Sequence, residues 1–283
     1  MPRWKKLGII AGGGALPARI ASACAGRGEE FHVVRIIGSA DAGLTKFTGD
    51  NCAISEAGKV VRSLKAADCD AVILVGRVKR PDFRSLKPDW RGAALLPKLL
   101  SAAAKGDGAI LDVLVDMLES EGFLVVGAEE ALEDLTAGAG ALGEHLPTPS
   151  DMEDIKKAAS LVKAIGSYDV GQGAVVAGGR VLGIEAAEGT DEMLRRCAAY
   201  KSGTATGVLV KRPKPGQELR VDLPAIGPET VRLTAEAGLR GIAIEAGFAL
   251  VIDRNDMIAR ANDNEIFVYG FTLEEIADAE KHW

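Results

Sequence analysis

The chain has 283 residues, enough for two buried cores and more than one typical domain. Its residues are 47% hydrophobic but only 5% aromatic, so Ala, Val, Ile and Leu must pack the cores, which suits an α/β protein better than a β-sandwich. A formal net charge of -6 implies no strongly basic face, so nucleic acid is not the main partner expected.

The first stretch, Lys6 to Ala11, reads as a buried parallel strand, followed by a glycine turn and a helix from about Leu16 to Ala25. No apolar signal-peptide region intervenes, and no apolar run approaches the ~18 residues that span a bilayer. Phe31 to Ile37 is a second strand with a near-continuous apolar run, as expected where helices cover both sheet faces. Gly58 to Ala67 is helical in pattern, Asp70 to Gly76 is a strand, Ala109 to Glu121 a helix and Phe123 to Val126 a strand. Strands alternating with helices predict a parallel, Rossmann-like sheet over residues 1–134. The glycine- and proline-bearing stretch 135–150 reads as a linker.

A mixed α/β domain is expected over 151–283. It opens with a helix from Asp151 to Ile165, with Ser150 as the expected N-cap and an acidic first turn. Gly173 to Val176 and Arg180 to Glu185 flank Ala-Gly-Gly and read as a hairpin. Asp191 to Tyr200 is a helix, and Gly207 to Lys211 a strand ending in the stiff Pro-Lys-Pro-Gly turn. A helix (Thr230 to Ala237), two strands (Gly241 to Glu245, Ala249 to Ile252) and a short helix (Asp256 to Ala261) complete the pattern. The four cysteines, Cys24, Cys52, Cys69 and Cys197, form no C-x-x-C pair, which fits a reduced, cytoplasmic compartment.

Five constellations carry candidate chemistry. Ala11-Gly12-Gly13-Gly14-Ala15-Leu16-Pro17 joins a strand to a helix, where backbone N–H groups and the helix terminus can hold a phosphate; a tight turn needing positive φ is the bland alternative. Gly76-Arg77-Val78-Lys79-Arg80-Pro81 follows a strand and either answers a pyrophosphate or forms a solvated loop. In Lys105 to Asp112, Asp107 either caps the next helix or, with Gly108, meets a ribose or base. Glu185 to Asp191 crowds carboxylates beside Thr190, which could cap a helix or hold Mg²⁺ through oxygen. Lys211 and Arg212 could neutralise phosphate charge, and Asp222, before the stiff Pro224 to Pro228 turn, could hold a metal or orient a water; an ordinary surface hairpin is the alternative. The isolated His32, His145 and His282 exclude a dinuclear calcineurin-like phosphoesterase site.

The ordered set Gly-Gly-Gly-Ala-Leu-Pro (12–17), Gly-Arg-Val-Lys-Arg-Pro (76–81), Gly-Asp-Gly-Ala-Ile-Leu-Asp (106–112), Glu-Gly-Thr-Asp (188–191), Lys211, Asp-Leu-Pro-x-Ile-Gly-Pro (222–228) and Glu-Ala-Gly (245–247) resembles the LpxI-type UDP-2,3-diacylglucosamine pyrophosphatases of lipid A biosynthesis. The resemblance runs from about Lys6 to Tyr269, leaving Thr272 to Trp283 as an expected variable tail. It implies Mg²⁺-dependent hydrolysis of that lipid-linked UDP-sugar to lipid X and UMP. It also implies a cytoplasmic or peripherally membrane-associated protein; a homodimer is compatible with it. Motifs and resemblance together nominate Gly12, Gly13, Gly14, Leu16, Gly76, Arg77, Lys79, Asp107, Gly108, Asp112 and Arg212 for substrate. They nominate Thr190, Asp191, Lys211 and Asp222 for catalysis, and Glu188, Asp191 and Asp222 for Mg²⁺, with the substrate expected between the domains. A UDP-sugar-binding regulatory module without chemistry is the competing reading. A Rossmann-type oxidoreductase ranks last, because Glu29 and Glu30 come too early to hold a ribose.

Overall fold

The computed structural model describes residues 2–79, 88–104, 106–132, 134–201 and 203–280. Arg80, Pro81 and Lys105 of the nominated motifs lie outside the described residues. The chain forms two compact units, Met1–Glu133 and Asp134–Trp283.

In the first unit the elements run β1 (Lys6–Ala11), α1 (Ala15–Arg27), β2 (Glu30–Ile36), β3 (Gly49–Cys52), α2 (Ala57–Ala66), β4 (Ala71–Val75), α3 (Trp90–Ala103), α4 (Asp107–Ser120), β5 (Leu124–Val125) and α5 (Ala128–Ala131). The described strands form one parallel sheet in the order β3-β2-β1-β4-β5. β1, β2 and β4 are the central strands, and their Leu7, Ile9, Val33, Val34, Val72 and Ile73 are fully buried, which is why they read as unbroken apolar runs. Two elements carry no such signal. β3, Gly-Asp-Asn-Cys, is an edge strand whose inward demand is met by Cys52 alone. α3 contains Gly92 and Pro97, and its start is set by Asp89, whose carboxylate accepts from Gly92 N–H at 2.8 Å and from Gly58 and Lys59 N–H at the head of α2.

The second unit contains β6 (Gly140–Ala141), α6 (Pro149–Gly166), β7 (Gly173–Ala177), β8 (Arg180–Ile184), α7 (Gly189–Cys197), β9 (Val208–Lys211), β10 (Ala225–Ile226), α8 (Pro228–Glu236), β11 (Gly241–Glu245), β12 (Leu250–Val251), α9 (Arg254–Asp263), β13 (Phe267–Phe271) and α10 (Leu273–Glu280). Its main sheet has the order β6-β13-β11-β9-β7-β8, with β9, β11 and β13 parallel and β6 and β7 antiparallel to their neighbours. Alternate residues along each strand feed two cores. Val175, Leu209, Ile242 and Val268 pack with α7, α8 and α9 residues, while Val176, Val208, Val210 and Phe267 pack with α6 and Ile276.

Two expectations are corrected here. The stretch 135–150, read as a linker, is built into the second unit. Leu135 and Ala137 are buried, β6 pairs antiparallel with β13, and Pro149 and Ser150 already belong to α6. Ser150 is not the N-cap: Thr148 accepts from Asp151 N–H while Asp151 bonds back to Thr148 N–H, and Pro149 takes the first helical position, where its missing N–H costs nothing. Within the stretch beyond the resemblance, α10 packs with Ile276 fully buried against the α6 side, and Tyr269 donates to Glu275 at 2.5 Å. The hairpin holds as expected, its turn tied to α6 by the buried Asp154 carboxylate, which accepts from Gly178 and Gly179 N–H at 2.8 and 2.7 Å.

Candidate functional site

In the first unit the strand order reverses direction between β1 and β4, so a crevice opens at their carboxyl ends, the usual ligand position of open parallel sheets. The structure brings two nominated motifs together there. Gly12 N–H donates to Val75 O at 2.8 Å, Gly13 N–H to Arg77 O at 2.9 Å, and Arg77 N–H back to Gly13 O at 2.8 Å. Gly14 N–H donates to the Asp41 carboxylate at 2.7 Å. The N–H groups of residues 12–14 are thus spent within the protein rather than turned outward as a phosphate cradle. Their glycines serve close packing: a Cβ on Gly12 would lie 2.7 Å from Arg77 O, and one on Gly76 2.8 Å from Gly13 O.

The donors left at the head of α1 by position are the N–H groups of Ala15 and Leu16, since Pro17 has none. Gly76, Arg77 and Lys79 are exposed beside them. Asp107, Gly108 and Asp112 lie on α4, which packs on α3 and β5. The helix is capped by Gly106, so of the two readings of Asp107 the capping one falls away: it is the first helical residue, a favourable place for a negative charge. A hollow of about 530 Å³ in this unit, lined by Trp90, Leu95, Lys98, Val113 and Met117 among others, contains none of the nominated residues.

In the second unit the chemistry gathers at one edge of the main sheet. β9 ends there in Lys211 and Arg212, β11 in Glu245, and β8 leads to Glu185; Gln172 precedes β7 at the same edge. Lys211, Arg212 and Glu245 are only 6%, 7% and 7% exposed, so each must be paired. Lys211 Nζ donates to Thr190 Oγ1 at 2.7 Å and to Ala225 O at 3.3 Å, and Thr190 donates on to Glu185 Oε1 at 2.8 Å. Two of the three ammonium donors are therefore committed, and Thr190 braces Lys211. Arg212 pairs with Glu245 at 2.8 Å.

Asp222 is half-buried beside this row. Burial pushes its carboxyl above the usual range, against the pull of Lys214 and of hydrogen bonds from Gln172 and Gln217. A hollow of about 250 Å³ lies alongside, lined by Lys163, Arg212, Lys214, Gln217, Glu245 and Phe248 among others. Lys163, Asp169, Gln172, Lys214 and Gln217 escape sequence reasoning; the one available signal was the proline-stiffened turn that carries Lys214.

Among the described residues no three His, Cys, Asp or Glu side chains gather as a group able to hold a metal. The nominated carboxylates Asp222, Asp191 and Glu188 thus form no cage by themselves. Glu188 is ion-paired with Arg196, and its own backbone N–H, helped by Arg196, holds its carboxyl below the usual range. Asp191 sits in the first turn of α7. A magnesium ion needs only one or two carboxylates when substrate phosphates and water complete its shell. Asp222, half-buried beside the Lys211 row, could supply one of them.

Two family models cover nearly the whole chain: the LpxI N-terminal domain matches residues 6–135 and the LpxI C-terminal domain residues 138–269. The chain is also similar to the UDP-2,3-diacylglucosamine pyrophosphatase LpxI of Caulobacter vibrioides, with 48% identity over 277 residues, covering 96% of this chain and 99% of that relative.

Proposed function

Because the chain belongs to the LpxI family, we propose that it hydrolyses the diphosphate of UDP-2,3-diacylglucosamine, releasing UMP and 2,3-diacylglucosamine 1-phosphate (lipid X). The observation that carries this reading is the 48% identity to a UDP-2,3-diacylglucosamine pyrophosphatase over almost the full length of both chains. In the reaction water adds to one phosphorus, its bond to the bridging oxygen breaks, and that oxygen leaves with the other phosphate. Such chemistry needs positioning and charge neutralisation more than a covalent nucleophile.

In this reading the uridine diphosphate end meets the crevice of the first unit, at the Ala15 and Leu16 N–H groups, Arg77 and Lys79. In the second unit, Lys211 would neutralise phosphate charge with its remaining donor, and Asp222 would be the residue to hold Mg²⁺. When bound, the ion neutralises phosphate charge. Thr190 and Glu185 keep Lys211 in place, and the buried Arg212–Glu245 pair fixes the strand ends around it.

Incubating the protein with UDP-2,3-diacylglucosamine and Mg²⁺ should release UMP, detected by chromatography, and EDTA should abolish the release. Tight binding of the lipid-linked nucleotide with no UMP formed would instead favour a non-catalytic binding module.

A further inference from the structure

The loop after β2 holds Asp41 against the head of α1. Ser39 and Ala40 N–H groups both turn back to Ile36 O, at 3.0 and 2.9 Å, and a single 3₁₀ turn, Ala42–Leu44, follows, anchored by the fully buried Leu44. The loop is pressed onto the glycine turn, since a Cβ on Gly13 would lie 2.6 Å from Ser39 O. Asp41 stands at the N-cap position of that short turn, yet its side chain caps nothing there. Its carboxylate reaches across instead and accepts from Gly14 N–H at 2.7 Å. That bond uses one of the roughly four acceptor positions of a carboxylate, and the side chain is exposed at the crevice.

The two sides of the crevice therefore differ in charge. The sheet order puts β2 on one side of β1 and β4 on the other. The loop after β4 carries the exposed Arg77 and Lys79, and the loop after β2 carries Asp41. A diphosphate is drawn to the cations and repelled by the carboxylate, so it belongs on the β4 side. A carboxylate accepts hydroxyl hydrogens, and a ribose offers two of them on adjacent carbons. Doubly wound sheets that bind nucleotides use an acid about 20 residues beyond the glycine turn in this way. Glu30 opens β2 and Glu29 precedes it, at the wrong end of the strand, whereas Asp41 follows the strand's carboxyl end.

We propose that Asp41 is the ribose-recognising residue: its carboxylate accepts from the vicinal hydroxyls of the uridine ribose. It thereby sets the direction of the nucleotide, with the nucleoside over β2 and the diphosphate toward Arg77 and Lys79. The inference deepens the reading that the uridine diphosphate end meets this crevice, and rests on it.

Calorimetric titration with UDP and with 2′-deoxy-UDP tests it. The parent should bind UDP about 10-fold more tightly, the size of one hydrogen bond to a charged group. In Asp41→Ala the two nucleotides should bind about equally. Asp41→Asn keeps a carbonyl for Gly14 N–H, so it preserves the turn, and its preference should fall between those of the parent and Asp41→Ala. If Asp41 only pins the glycine turn, Asp41→Ala weakens both nucleotides by the same factor and the preference persists; that result overturns the proposal. A parent that binds both nucleotides equally also overturns it, while leaving the nucleotide reading of the crevice standing. A parent that binds neither removes that reading together with this inference.

Discussion

At the scale of single residues, the first unit's glycines and the second unit's buried cations answer opposite demands. Gly12 is glycine because two loops meet with no room between their backbones, and the obstructing atoms, Arg77 O at 2.7 Å and the Gly76 carbonyl carbon at 2.8 Å, belong to main chain that cannot rotate away. Gly12→Ala should therefore destabilise the protein by about 1–3 kcal/mol, the usual range for overpacking, and should weaken UMP binding by displacing Arg77. Urea unfolding followed by calorimetric titration with UMP would check both; unchanged stability would mean the two loops can part freely. Lys211 shows how far a site can be read without coordinates. Its place at a strand end beside Thr190 and Asp222 in the motif order marks it for chemistry, but only the geometry shows that Thr190 and the Ala225 carbonyl take two of its donors. Lys214, Asp169 and Gln172 stay hidden because they come from loops whose meeting depends on the sheet order, and no local pattern records that order.

At the scale of elements, Asp89 joins two helices that sequence periodicity treats separately. Burial works against its charged form, but three backbone N–H donors, from Gly92, Gly58 and Lys59, outweigh it and hold the carboxyl below the usual range. A carboxyl lowered in the folded state stabilises the fold above its unfolded value of about 3.9, and that contribution is lost as the pH falls through this range toward the lower folded value. Asp89→Ala should cost about 1–2 kcal/mol at neutral pH, as a lost helix cap does, and the gap to the parent should narrow near about pH 3. Denaturant unfolding at the two pH values measures it; a gap independent of pH would mean that the charge contributes nothing. The same contrast decides which elements are legible. β1, β2 and β4 declare themselves because both their faces are buried. β3, β6 and α3 do not, because an edge strand of Gly-Asp-Asn-Cys, a two-residue strand in a glycine-rich stretch and a helix interrupted by Pro97 owe their form to a partner or a distant cap rather than to their own pattern. Thr148 is a more local miss, since Thr-Pro-Ser-Asp satisfies the capping box two residues earlier than Ser150 suggests.

At the scale of the whole molecule, a lipid substrate poses a problem of access. Among the described residues no helix is long and apolar enough to cross a membrane, and the chain carries a formal net charge of -6. An anionic membrane surface attracts polybasic segments and repels a protein of this sign, so charge alone will not bring the protein to the bilayer. If the reaction proposed above is right, attraction must come through the substrate, whose acyl chains stay in the membrane while its nucleotide end projects into water. With EDTA present to prevent turnover, the protein should therefore stay in the supernatant when mixed with phosphatidylglycerol vesicles and should sediment with the same vesicles once they carry UDP-2,3-diacylglucosamine. Sedimentation with bare vesicles would point instead to an apolar surface of the protein that enters the bilayer by itself, and α3, from which Trp90 and Leu100 stand out, would be where to look for it.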